Sequence, residues 1–178
     1  PVQQRLRDAV REAERLDAAA RSAGLVGPLH CIPILVKDQI DTRDMPTTYG
    51  SILFKTFVPQ RDATIISKMR QAGAIVIAKS TMGEFASGYF GSGFGVVRNA
   101  YDPRRYASGS SGGTGSAVAA NLAAVGIGED TSGSIRGPAA VNNLVGLRPT
   151  TPLVSRFGAL PSRPSMDTLG PITRTVRD

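Results

Sequence analysis

The apolar residues of the first segment fall three or four positions apart: Leu6, Val10, Ala13, Leu16 and Ala20, with Arg, Asp and Glu between them. That spacing lines up on one helical face, so residues 2–22 are predicted to form an amphipathic helix ended by Gly24. The pattern then shortens. Ile32-Pro-Ile-Leu-Val-Lys37-Asp38 is an apolar, β-branched run that reads as a mostly buried strand, and Ile75-Val-Ile-Ala78 is a second. Residues 41–60, which hold Pro46, Gly50 and Pro59, are expected to make an ordered excursion between them. Asp62 is expected to N-cap a helix running through Gln71 that Gly73 closes. Strand–helix–strand alternation predicts an α/β fold.

From Phe85 to Ser116 the chain is dense in Gly and Ser, ending in Ser108-Gly-Ser-Ser-Gly-Gly-Thr-Gly-Ser116. A flexible linker has this composition. Here Ala117-Val-Ala-Ala120 follows at once as a small-residue helix, then Leu122-Ala-Ala-Val125 begins a strand that ends at Glu129-Asp130. A Gly/Ser loop running into a packed helix is a binding-loop arrangement, because glycine permits close backbone approach and the helix start offers free N–H groups. The arrangement recurs at Thr131-Ser-Gly-Ser134, where Ile135-Arg136 enters another helix. The tail from Arg148 is rich in Pro and Arg, and Thr175-Val-Arg-Asp178 reads as the start of a helix.

Composition narrows the partners. At 178 residues, 41 % hydrophobic and 20 % charged, the chain has the size and balance of one globular domain. The net charge of +7 comes from 17 Arg and 4 Lys scattered along the chain, with Arg104-Arg105 the only adjacent pair. No basic run interleaves with aromatics, so direct nucleic-acid binding is not expected. No apolar run is long enough to span a membrane, and the charged N-terminus lacks the apolar core of a signal peptide. A cytoplasmic location follows as the expectation.

One cysteine, Cys31, and one histidine, His30, remove whole chemistries. An intramolecular disulfide, a Cys-cluster zinc site and a His-rich metal site are excluded. No lysine follows a glycine, so there is no phosphate-binding P-loop; Val118 stands where a dinucleotide fingerprint from Gly113 needs glycine. Gly109-Ser-Ser111-Gly-Gly113 matches a hydrolase nucleophile elbow, but that fold needs a His after the nucleophile, and His30 precedes it. A serine hydrolase without His needs another base. A desolvated lysine serves, because burial disfavours the ammonium form. Lys37, ending Ile-Pro-Ile-Leu-Val, has the most apolar setting; Lys79 also ends an apolar strand and is its rival.

These segments together resemble the amidase signature family. The match runs through Gly27-Pro-Leu-His-Cys-Ile-Pro33 to Lys37-Asp38, Ser108-Gly-Ser-Ser-Gly-Gly113 and Asp130-Thr-Ser-Gly-Ser-Ile-Arg136, in the family's order. Ala78-Lys-Ser-Thr-Met-Gly-Glu-Phe-Ala86, Asn143-Leu-Val-Gly-Leu-Arg-Pro149 and Asp167-Thr-Leu-Gly-Pro-Ile-Thr-Arg174 extend it over nearly the whole chain. The resemblance implies a mixed β-sheet core flanked by helices on both faces. It implies that residues 1–178 are the N-terminal portion of a single domain, with residues 1–24 as a leading helix, 25–178 as the signature core and the C-terminal remainder absent. It also implies a Ser–cis-Ser–Lys triad: Ser134 as nucleophile, Ser110 as the bridging serine in a cis peptide, Lys37 as base. Backbone N–H groups of Thr131, Ser132, Gly133 and Ser134 would form the oxyanion hole.

The implied activity is hydrolysis of a carboxylic amide through an acyl-enzyme, without metal or cofactor, on a small-molecule amide, and it leaves room for a homo-oligomer. The alternatives are the glutaminase subunit of a tRNA-dependent amidotransferase and a non-catalytic fragment. Three residues depart from the family pattern. Cys31 stands where Gly is usual, Ser132 replaces the first Gly of Gly-Gly-Ser, and Glu129 precedes Asp130 where a small polar residue is more common. Asp38, Asp130, His30 and Cys31 are read as structural, Arg136 as a brace for its loop, and Ser111 and Ser116 as loop hydrogen-bonders or caps. Asp38 is not expected beside Lys37, since strand neighbours point to opposite faces.

Overall fold

The first helix, α1 (Val2–Ala23), turns a narrower face inward than the spacing predicts. The structure, a computed structural model, describes residues 2–178. Ala9 and Leu16 of α1 are buried against Ile75, with Ala13 beside them, whereas Leu6 and Val10 are 53 % and 58 % exposed. The buried seam therefore runs through Ala9, Ala13 and Leu16, and its two alanines let the helix lie close to the sheet.

Five strands make that sheet: β1 (Pro33–Lys37), β2 (Ile75–Ser80), β5 (Val125–Asp130), β6 (Val145–Gly146) and β7 (Thr168–Thr173), in the order β2-β1-β5-β7-β6. β1 runs parallel to β2 and to β5; β7 is antiparallel to β5 and to β6. The sheet is thus mixed. β3 (Phe90–Gly91) and β4 (Gly95–Val96) form a separate antiparallel ribbon.

Helices cover both faces, as the resemblance implies. On one, α2 (Thr64–Gln71) places Ile66 on Ile34 and Val36 of β1, Val76 of β2, Ile127 of β5 and Leu169 of β7. On the other lie α3 (Gly112–Ala119) and α4 (Arg136–Val141). A side chain at Gly126 would collide with Thr114, and one at Gly128 would meet Ser111 and Ile135. The glycines of β5 are what let these helices close on the sheet.

Two local expectations are corrected. Asp62 does not cap α2, whose N-cap is Ala63; its carboxylate instead accepts from the Arg43 N–H and pairs with Arg70. The helix expected at Ala117 begins at Gly112, inside the Gly/Ser segment, because burial of Gly112 through Gly115 overrides their low helix propensity. At the other end of the described residues, the Thr175 N–H donates to Asp178 Oδ2 and the Asp178 N–H to Thr175 Oγ1, the reciprocal bonds of a capping box. No helix among the described residues is long and apolar enough to cross a membrane.

Candidate active site

β1 ends where α3 begins, and this brings together residues far apart in the chain. Lys37, the last residue of β1, is completely buried, and its Nζ lies 2.7 Å from Ser110 Oγ. Ser110 sits in the loop before α3, after a cis Gly109–Ser110 peptide. Gly109 is required by contact: a Cβ there would run into the Gly88 carbonyl. The loop is pinned on both sides. Gly83 N–H donates to the Ser110 carbonyl (3.2 Å) and Ser111 N–H to the Ser134 carbonyl (3.2 Å). Ser111 Oγ donates to the Glu129 carbonyl (3.1 Å) and accepts from the Glu129 N–H (3.3 Å), tying the loop to β5. Ser116, within α3, donates to the Arg98 carbonyl.

The second loop follows β5. Ser134 is half-buried there, and no described residue hydrogen-bonds its hydroxyl, Ser110 included. Asp130, fully buried, shapes the turn: its carboxylate accepts from the N–H groups of Gly133 (2.7 Å), Ile135 (3.1 Å) and Arg136 (3.4 Å) and from the Arg136 guanidinium. Arg148 adds a second cation at 3.3 Å. Burial alone would raise this carboxyl, but the bonds from Arg136 and the loop N–H groups outweigh it and hold Asp130 below its usual value. Asp130→Ala is expected to cost at least about 1.5–3 kcal/mol, the worth of one hydrogen bond to a charged group, read from the urea midpoint at neutral pH. That advantage is present above the ordinary carboxylate range and is lost as pH falls through the depressed native value.

Of the four expected oxyanion donors, Gly133 is corrected. Its N–H is already given to Asp130, which leaves those of Thr131, Ser132 and Ser134 without a partner among the described residues. Ser132 carries its side chain without strain, since the positive φ of this turn falls on Gly133 (+138°).

The two lysines separate. Burial lowers the Lys37 amine below its usual value, an effect that a charged Glu129 would oppose. Lys79 is lowered by burial to about 8, yet it faces Thr47 Oγ1 (2.9 Å), the Pro46 carbonyl (3.4 Å) and Asp38 (3.5 Å), away from both loops. Asp38 also accepts from Thr48, so its role is structural. His30 and Cys31 lie elsewhere: the Cys31 thiol donates to Asp17, and His30 Nδ1 accepts the Val26 N–H.

The sequence marked Glu129 only as a departure from the family pattern and gave Asp167 no place in the site. Glu129 Oε2 lies 3.0 Å from Lys37 Nζ, and the Thr131 hydroxyl links Glu129 to Asp167. The signal available was a Glu-Asp pair closing an apolar strand. It could not be used without knowing that β5 lies next to β1.

A family model described as Amidase matches residues 2–178. The chain is 46 % identical over 173 residues to the A-type subunit of a glutamyl-tRNA(Gln) amidotransferase from Exiguobacterium sp., covering 96 % of this chain and 36 % of that protein. The structure of a peptide amidase from Stenotrophomonas maltophilia superposes with a TM-score of 0.93 at 44 % identity, over 96 % of this chain and 36 % of that one. The A-type subunit of a glutamyl-tRNA(Gln) amidotransferase from Thermotoga maritima superposes with a TM-score of 0.81 at 36 % identity, over 99 % of this chain and 42 % of that one. The chain therefore spans little more than a third of the length of the relatives it matches.

Proposed function

The chain belongs to the amidase family, and on that footing we propose that it carries the serine–serine–lysine centre of an amide hydrolase acting on a small amide in the cytoplasm. The observation that carries this reading is the buried 2.7 Å contact between Lys37 Nζ and Ser110 Oγ, with Ser134 on the adjoining loop. Neutral Lys37 takes the proton of Ser110, and Ser110 takes that of Ser134. Ser134 Oγ then attacks the amide carbon. The oxyanion faces the free N–H groups at Thr131, Ser132 and Ser134, a type of contact worth about 2.7–4 kcal/mol per donor in other hydrolases. The relay returns a proton to the departing nitrogen, releasing ammonia or an amine, and water cleaves the acyl-enzyme. No step calls for a metal or cofactor.

The test is active-site labelling. A fluorophosphonate probe should modify Ser134 in the folded protein, with the adduct located by peptide mass spectrometry. Folded, unlabelled protein would remove Ser134 as nucleophile. The similarity to A-type amidotransferase subunits, 46 % identity in one case, favours one second reading, a glutaminase that works within an amidotransferase. Ammonia release from glutamine only in the presence of the other amidotransferase components would select it; hydrolysis of simple amides by the protein alone would select the first.

A further inference from the structure

Lys37 acts as a base only without its proton, yet a carboxyl group lies against it. Glu129 Oε2 is 3.0 Å from Lys37 Nζ, and both side chains are shut off from solvent. An ionised carboxylate there would hold the proton on the amine. The hydrogen bonds beyond Glu129 bear on this. Its other oxygen, Oε1, is 2.8 Å from Thr131 Oγ1, and that hydroxyl is 2.7 Å from Asp167 Oδ1. A threonine hydroxyl has one proton to donate. Two ionised carboxylates would leave one of these short contacts as lone pair against lone pair. A proton on one of the two carboxyls, donated to Thr131, would satisfy both contacts. Asp167 already accepts the N–H groups of Ser162 (2.9 Å) and Arg163 (2.9 Å), so both its oxygens are occupied as acceptors. Among the described residues, no backbone N–H donates to the Glu129 carboxyl.

We propose that Glu129 is the protonated member of this network and positions Lys37 as a neutral base. Each group then has a partner of the right kind. The Lys37 amine gives its two hydrogens to Glu129 Oε2 and to the Glu129 carbonyl at 3.2 Å, and its lone pair faces the Ser110 hydroxyl. Glu129 Oε1–H donates to Thr131, and Thr131 donates to Asp167. With Glu129 ionised, an ammonium would direct all three hydrogens at the same atoms, and no lone pair would meet Ser110.

The remaining charged and titratable groups nearby are accounted for. Asp130, next along β5, is paired with Arg136 and Arg148. Arg156 lines the small cavity, about 150 Å³, that Glu129, Gln39 and Asp167 share. Tyr49, its phenol pushed by burial up to about 12, donates to the Pro161 carbonyl. Among the described residues, Lys37 is the one basic side chain within ion-pair distance of Glu129.

The proposal rests on Lys37 being the base, and its test separates the two. Glu129→Leu should lose roughly ten- to a hundredfold in kcat/KM, the loss of one buried hydrogen-bond partner. Glu129→Gln, whose oxygen accepts from Lys37 and whose nitrogen donates to Thr131, should recover most of that loss, with the acid limb of the pH–rate profile where the wild type has it. An ionised Glu129 would instead hold the Lys37 proton, so Glu129→Gln would move the limb about one to three units lower, and that overturns the proposal. So does a shift in Glu129→Gln together with none in Asp167→Asn, which places the proton on Asp167. Infrared difference spectra of wild type against Glu129→Gln need no turnover. Loss of a protonated-carboxyl band supports the proposal, and loss of a carboxylate band overturns it, even in a protein that hydrolyses no amide.

Discussion

Lys37→Ala is expected to lower amide turnover by about 10²–10⁴-fold, the usual contribution of a positioned general base. The loss should fall on kcat, because Lys37 is fully buried behind Ser110 and touches no open surface on which substrate would sit. The sign of the pH dependence follows from the same geometry. Burial lowers the native Lys37 amine, so the neutral base is populated at a lower pH than for a solvated lysine. Activity should therefore rise with pH through that value, and Lys37→Ala should abolish this limb along with the rate. Lys79 is the control. It too is lowered by burial, in its case to about 8, so its titration has to be told apart from that of Lys37. Lys79 contacts Thr47 and Asp38 and neither serine, so Lys79→Ala should leave the limb in place. If Lys37→Ala kept near-normal rates while Lys79→Ala lost the limb, the base would have been misassigned.

The sheet was legible where local chemistry and tertiary demand agree. Pro33–Lys37 and Ile75–Ser80 are short, β-branched and apolar, and nothing in their surroundings asks for another shape. The misreadings come where burial overrides local preference. Gly112, Gly113 and Gly115 have poor helix propensity, but they are buried where a side chain would meet Val97 and Ala107, Thr81, or Pro138 and Asn142 at α4, so the helix starts inside the Gly/Ser run. Leu6 and Val10 look like a core stripe, yet the neighbouring Ala9 is what packs.

For the candidate site, the scarcity of histidine left a lysine base, and the family resemblance singled out Lys37, Ser110 and Ser134. Local patterning could not bring Lys37 to Ser110, since that contact depends on β1 ending at the start of α3. Glu129 was harder still. Its place beside Lys37 depends on the order β1-β5, and its hydrogen bonds depend on Asp167 arriving from the segment before β7.

Ser134→Ala should separate chemistry from folding more cleanly than any other substitution in the chain. Its hydroxyl hydrogen-bonds to no described residue, while the loop around it is fixed by Asp130 through Gly133, Ile135 and Arg136. Removing one oxygen therefore breaks no bond that holds the turn, and stability should stay within about 0.5 kcal/mol of the parent. Activity should fall on the order of 10⁶-fold, the scale of loss when a nucleophilic serine is removed from other hydrolases. No neighbour can substitute. The Ser110 hydroxyl is buried against Lys37, and that of Ser111 is engaged with Glu129. Thermal melting and single-turnover acylation, measured on the same preparation, check both halves. A Ser134→Ala protein that melts normally and still acylates would transfer the nucleophile to another residue. One that melts far lower would mean that the hydroxyl holds the loop, contrary to the bonding described.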